Sequence, residues 1–202
     1  MRRTREEAEA TRRKLMEVGL RVFHEKGYAA TRLADVALAA GVTRGAIYHH
    51  FGSKLELFKA IALEKHNRIK RLMEEGIAAH SDNLLSAIST VTKKVFYELE
   101  NNQNFRNFMD LLLKENLKVA EPELGAIMEE IKCDNELSIR QFIANAQEQG
   151  VVRRDISAEL IEFFINAGFM GMMKMRLDRE VEINLYENAD ALVRLIMSAV
   201  KA

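Results

Sequence analysis

The residues best suited to chemistry lie close together, as Arg44, Gly45, Ala46, Tyr48, His49, His50 and Lys54. An arginine in the first turn of a helix can place two parallel donors on guanine O6 and N7, while Gly45 and Ala46 leave room for close approach and Ala46 offers a methyl contact to thymine. Tyr48, His50 and Lys54 suit phosphates, and Lys54 also opens a helix, where backbone N–H groups and the dipole favour an anion. The chemistry implied is recognition of a duplex. Signatures of catalysis do not occur: there is no Gly-rich phosphate loop, no G-x-S-x-G elbow and no H-E-x-x-H, so the chain is not expected to be an enzyme. His49 and His50 raise the question of a metal, but neighbours on a helix point about 100° apart and no Cys or acidic partner stands at ligand spacing. Neither a metal nor a cofactor is expected.

To share one surface, these side chains need a short helix, and Arg44 to Phe51 supplies it. Thr43 caps it, Ile47 and Phe51 turn inward, and Arg44, Gly45, Ala46, Tyr48 and His49 are left outward. So short a helix must be held by packing on neighbours. The helix before it is capped by Thr31, buries Leu33, Val36, Ala37 and Ala40, and ends at Gly41. Two short helices joined by a Gly-containing turn form a helix-turn-helix. Ahead of them a capping box, Thr4 with Glu7, opens a helix burying Leu15, Val18, Val22 and Phe23 until Gly27; after them Ser53 with Glu56 opens a fourth helix running to about His80. Five more helices are predicted, over about 83–100, 104–118, 122–149, 157–177 and 184–200, punctuated by Asp82 and Asn83, the polar run Asn101 to Asn104, Pro122 and Gly150. No alternating apolar run argues for strands. The fold class is all-α, with a helix-turn-helix domain over 1–53 and a larger helical domain over 54–202, which the helix 54–80 links.

Composition agrees. Nearly half of the 202 residues are apolar, enough for a substantial core. No apolar stretch is long enough for a membrane span and the Arg- and Glu-rich start is unlike a secretory signal, so a cytoplasmic protein without membrane association is expected. A lone Cys133 excludes an internal disulfide and fits a reducing compartment, and it is read as structural or inert. Net charge is zero, yet residues 1–59 carry twelve Lys or Arg against seven Asp or Glu, and the remainder carries the matching acidic excess. The basic portion is the candidate polyanion-binding module.

The run Thr31 to Phe58, TRLADVALAAGVTRGAIYHHFGSKLELF, resembles the DNA-binding signature of the TetR family of bacterial repressors. The opening RRTREEAEATRRKLM looks like the subgroup that controls multidrug efflux pumps. The resemblance is dense over about the first sixty residues, and beyond them it lies only in helix pattern and length. It implies base-edge contacts from Thr43, Arg44, Gly45, Ala46 and His49, and phosphate contacts from Thr31, Tyr48, His50 and Lys54. His49 departs from the pattern, since similar chains usually carry Tyr or Trp there; a hydrogen bond in place of a stacking contact is the consequence. The implied function is transcription regulation, namely a repressor released from a pseudo-palindromic operator by a small hydrophobic effector. The alternative is a regulator of the same fold without a small-molecule ligand.

In the larger domain the helix from Ser157 to about Arg176 is apolar nearly all round, which demands burial on more than one side. Its own domain and a second subunit are the expected covers. Gly168 and Gly171 agree, because a glycine inside a helix costs roughly 1 kcal/mol relative to alanine unless it permits close approach. A homodimer is expected, through Ile161, Phe164, Gly168, Gly171 and Met172 together with Leu192 and Ile196 of the last helix, whose stripe begins at Leu185. The resemblance also implies a four-helix dimer bundle and a ligand cavity. Phe96, Phe105, Phe108, Met109, Phe142, Phe163 and Met170 are expected around that cavity, with Asn145 or Asn166 as a polar anchor.

Overall fold

The computed structural model describes residues 5–80, 84–114 and 122–202. Among them run nine helices: α1 (Arg5–Lys26), α2 (Leu33–Ala40), α3 (Arg44–Phe51), α4 (Lys54–Ala79), α5 (Leu84–Asn101), α6 (Gln103–Lys114), α7 (Pro122–Glu148), α8 (Ala158–Leu177) and α9 (Ala189–Val200). Extended pairing among the described residues is limited to an isolated bridge between Val152 and Lys201. The chain divides into two compact units, Met1–His66 with Asn107–Met128, and Asn67–Arg106 with Glu129–Ala202.

In the first unit, α1 buries Leu15, Val18, Val22 and Phe23 as its periodicity demands; Thr4, the expected start of its capping box, lies outside the described residues. Phe23, Tyr28 and Phe58 form a closed aromatic cluster with ring centroids 5.3, 5.9 and 5.3 Å apart, tilted or edge-on as ring quadrupoles prefer. Gly19 lets Leu57 approach α1, since a Cβ there would lie 2.9 Å from Leu57 Cδ2.

The helix-turn-helix is built by its end groups. Gly41 adopts the left-handed conformation, φ 68°, and the Val42 N–H returns to the Ala37 carbonyl at 3.0 Å, which closes α2 and turns the chain into α3. Thr43 Oγ1 accepts from the Ala46 N–H at 3.2 Å, and Ser53 Oγ from the Glu56 N–H at 3.1 Å, so both expected caps are in place. Thr31 is not a cap. It is buried, with its hydroxyl donating to the Gly27 carbonyl at 2.7 Å; the N-cap of α2 is Arg32, whose N–H donates to Asp35 at 2.9 Å. The end of α1 offers the Thr31 hydroxyl an acceptor that sequence spacing did not reveal.

The second unit packs Ile161 and Ile165 of α8 with Val193, Met197 and Val200 of α9, against Ile143 and Ala146 of α7. The last helix begins at Ala189, several residues after its expected start near 184. Asn184 is the reason: its side chain accepts from the Glu187 N–H at 3.1 Å, and its carbonyl accepts from Asn188 Nδ2 at 2.9 Å, so residues 185–188 form a turn. Leu185 is buried from that turn. The connection after α8 is tied down by Glu100, which accepts two hydrogen bonds of 2.9 Å from Arg176 and one of 3.1 Å from the Leu185 N–H. Partial burial pulls the Glu100 carboxyl up, but the Arg176 guanidinium and that N–H overcome it and hold the carboxyl below its ordinary range.

Candidate nucleic-acid interface and ligand cavity

On α3, Arg44, Gly45, Tyr48 and His49 are exposed, Ala46 and His50 are half-buried, and Ile47 and Phe51 are buried. The short helix is held by those two inward residues and by Arg12 of α1, whose guanidinium stands 4.8 Å from the centre of the Phe51 ring. Gly45 has open space around it, the nearest atom to an added Cβ being Thr43 Oγ1 at 3.9 Å. The free protein therefore does not need glycine there. Thr43 is exposed, and because its oxygen is the acceptor for the cap, its hydroxyl proton is left to donate outward. Asp35 on the neighbouring helix sits below the ordinary carboxylate range, chiefly because the Arg32 N–H bonds to it and secondarily because of Lys26, 3.4 Å away.

Two residues expected at phosphates have other engagements. Lys54 Nζ donates to the Tyr28 and Ala29 carbonyls at 3.0 and 3.3 Å and lies 4.3 Å from the centre of the Tyr28 ring. That leaves one ammonium donor of three. Thr31 directs its hydroxyl inward and does not lie on the exposed surface.

The second unit contains a cavity of about 190 Å³. Its walls are Ile69, Met73 and Ile77 of α4, a face of α5 from Ala87 to Phe96, Ile139, Phe142 and Ile143 of α7, and Ile165, Asn166, Phe169 and Met173 of α8. Among the described residues no charged side chain lines it, and Thr92 and Asn166 are the polar residues in its walls. Of the residues expected there, Phe96, Phe142 and Asn166 are in the walls. Phe105, Phe108 and Met109 are buried but are not among the lining residues, and Phe108 and Met109 belong to the first unit. Asn145 is exposed and accepts from Gln141 Nε2. Phe163 and Met170 lie 67% and 41% exposed. Their error is one of phase: seven residues apart, they share a helix face turned by about 100° or more from Ile165 and Phe169. Sequence reasoning missed the aliphatic walls, although Ile69, Met73 and Ile77 recur at every fourth residue, because aliphatic stripes look the same whether they face atoms or space.

The outward face of α8 is broadly apolar. Leu160, Phe163, Phe164, Met170 and Met175 are exposed there, with Leu195 of α9, 69% exposed. Among the expected interface residues, Phe164 and Gly171 are exposed, and nothing lies within 4 Å of a Cβ built on Gly171. Met172 and Leu192 are half-buried. A Cβ built on Gly168 would lie 3.4 Å from Ile196 Cδ1 of the same chain, and Ile161 is buried in the chain's own core. The side chain of Cys133 is outside the described residues.

Residues 15–61 match the family described as bacterial regulatory proteins, tetR family. The HTH-type transcriptional regulator TtgR of Pseudomonas putida is 30% identical over 165 residues, which are 79% of this chain and 76% of that protein. The chain belongs to the TetR family. As a TetR-family protein it is a DNA-binding transcriptional regulator with an all-α fold. The probable acrEF/envCD operon repressor of Escherichia coli is 29% identical over 95% of this chain and 87% of its own length. In fold, this TetR regulator is similar to SmeT, the repressor of the Stenotrophomonas maltophilia multidrug efflux pump SmeDEF, with a TM-score of 0.80 at 21% identity over 96% of this chain and 92% of SmeT. A SmeT–triclosan complex aligns with a TM-score of 0.84 at 22% identity over the same shares. No helix among the described residues is long and apolar enough to cross a membrane.

Proposed function

We propose that this TetR-family regulator is a cytoplasmic homodimeric repressor of an efflux operon, released from a pseudo-palindromic operator by a small hydrophobic effector. Residues 1–53 are the reading head in this proposal. Thr43, Arg44, Gly45, Ala46 and His49 meet base edges, and Tyr48 and His50 meet phosphates, with Lys54 assisting through its remaining donor. The dimer forms through the outward face of α8 with Leu192 and Leu195 of α9, because so contiguous an apolar surface is uncommon on a monomer. Similarity to repressors of efflux systems supports the regulated target, and the SmeT–triclosan complex supports a small-molecule effector.

The observation that carries ligand release is the apolar cavity of about 190 Å³ with no charged side chain in its walls among the described residues. An engineered apolar cavity of about 150 Å³ is enough to bind benzene. Ile69, Met73 and Ile77 line the cavity from the helix whose first residue is Lys54, so a ligand that displaces them shifts α4 and changes the spacing of the two reading heads. The ligand must bind the released form more tightly for this to work. Fluorescence anisotropy on the promoter DNA of the flanking genes tests it: hydrophobic antibiotics, dyes and plant phenolics are expected to weaken operator binding. A panel that binds nothing, with operator affinity unchanged, would sink ligand release and leave a regulator without an effector.

A further inference from the structure

Within the apolar wall of the cavity, one polar side chain is held in a single orientation. Glu162 is buried, and its Oε2 accepts from Arg140 Nε and Nη2 at 3.1 and 3.0 Å, while its Oε1 accepts from Asn166 Nδ2 at 3.0 Å. A carboxylate can only accept, so Asn166 must turn its nitrogen toward Glu162 and its oxygen away. Asn166 Oδ1 has no hydrogen-bond partner among the described residues, and Asn166 lines the cavity. The Glu162 carboxylate is already matched by Arg140, and among the described residues no charged side chain lines the walls to pair with a ligand charge. An ion placed there would be desolvated without compensation.

We infer that Asn166 Oδ1 is a fixed hydrogen-bond acceptor for the effector, so that the chain selects a small, uncharged, largely apolar molecule bearing an O–H or N–H donor over the same molecule without one. This rests on the ligand-release reading above and adds the effector's chemical class. Glu162 acts through Asn166 as a positioning residue: it prevents the amide from flipping to offer its nitrogen. A site built around a fixed polar group discriminates against a ligand that leaves it unpaired, and the expected ratio is about tenfold or more.

The test is titration of the protein with three neutral probes of similar shape, 2-naphthol, 2-methoxynaphthalene and naphthalene, by calorimetry and by naphthol fluorescence, which the absence of Trp leaves clear. The wild type is expected to bind 2-naphthol about tenfold or more tightly than 2-methoxynaphthalene. Asn166→Leu should keep 2-methoxynaphthalene and naphthalene within a fewfold and lose the preference, with Asn166→Ala as the second variant should the leucine disturb folding. Glu162→Gln should shrink the ratio, because a neutral partner tolerates either amide orientation, whereas a merely structural role would weaken all three probes alike. Equal affinities in the wild type, or a preference that survives both Asn166 variants, would overturn the inference. An unchanged ratio in Glu162→Gln would overturn the positioning role. If none of the three probes binds the wild type, ligand release fails and this inference with it; binding without preference fails this inference alone.

Discussion

Around Phe23, Tyr28 and Phe58 three rings sit 5.3–5.9 Å apart with scarcely any exposed surface, and the helix ends nearby have partners in Thr43, Ser53, Gly41 and Lys54. Around Phe96 and Phe169, whose rings are 6.0 Å apart, apolar walls surround a cavity of about 190 Å³. The first region is built to hold side chains still, which base-edge recognition requires. In the second, flexible Met73 and Met173 and a lining of aliphatic side chains suit repacking around a guest. The contrast separates where this protein needs one geometry from where it needs room.

Removing a member of the closed cluster should have the largest effect. Phe58→Ala is expected to cost about 3–5 kcal/mol in denaturant unfolding and to abolish operator binding with it. A loss under about 1 kcal/mol would mean the head is not packed as tightly as its ring geometry indicates.

Arg44 tests the surface of the same region instead of its core. Arg44→Ala should leave stability within about 0.5 kcal/mol, as surface substitutions do. It should cost about 1–3 kcal/mol of binding per half-site and relax discrimination at one base pair. Anisotropy on single-base operator variants measures this, and retained discrimination would remove α3 from the groove.

Lys54 blurs the division between core and surface. Because its ammonium is bonded to two carbonyls and lies over the Tyr28 ring, Lys54→Ala should lower stability by about 1–2 kcal/mol, in addition to weakening binding to all sequences alike. A variant that keeps its melting temperature but loses about one unit of salt slope per subunit would show a purely electrostatic role.

The smallest expected change comes from adding atoms to the region that has room for them. An added ring in a filled core costs about 1–3 kcal/mol, but Val95→Phe points into the cavity and should change stability by less than about 1 kcal/mol while displacing ligands. Thermal unfolding with and without 2-naphthol reads both. A strong destabilisation would mean that the walls cannot accommodate a guest.

Helix-turn-helix placement was legible because its signals are local. Thr43 and Ser53 reach a backbone N–H three residues on, Gly41 supplies a left-handed residue, and Ile47 and Phe51 repeat at helical spacing, so each can be read from a few neighbours. The site beyond it was legible only in part. Thr31 reads as a cap until the end of α1 offers a nearer acceptor, and Lys54 reads as a free cation until the Tyr28 and Ala29 carbonyls, some twenty-five residues away in sequence, are placed beside it. Phe163 and Met170 read as pocket residues because an apolar helix does not declare which face meets the core.

By itself, then, the sequence determined the order of the helices, the caps at Thr43 and Ser53, the short α3 with its outward Arg44, and the apolar excess of α8. Tertiary structure alone decided which apolar side chains face empty space, which face outward, and that Glu162 and Arg140 turn Asn166 into an acceptor. The physical reason is range. Capping and periodicity act over three or four residues along the chain, whereas a cavity is a deficit of atoms among four helices, and a deficit has no residue type to announce it.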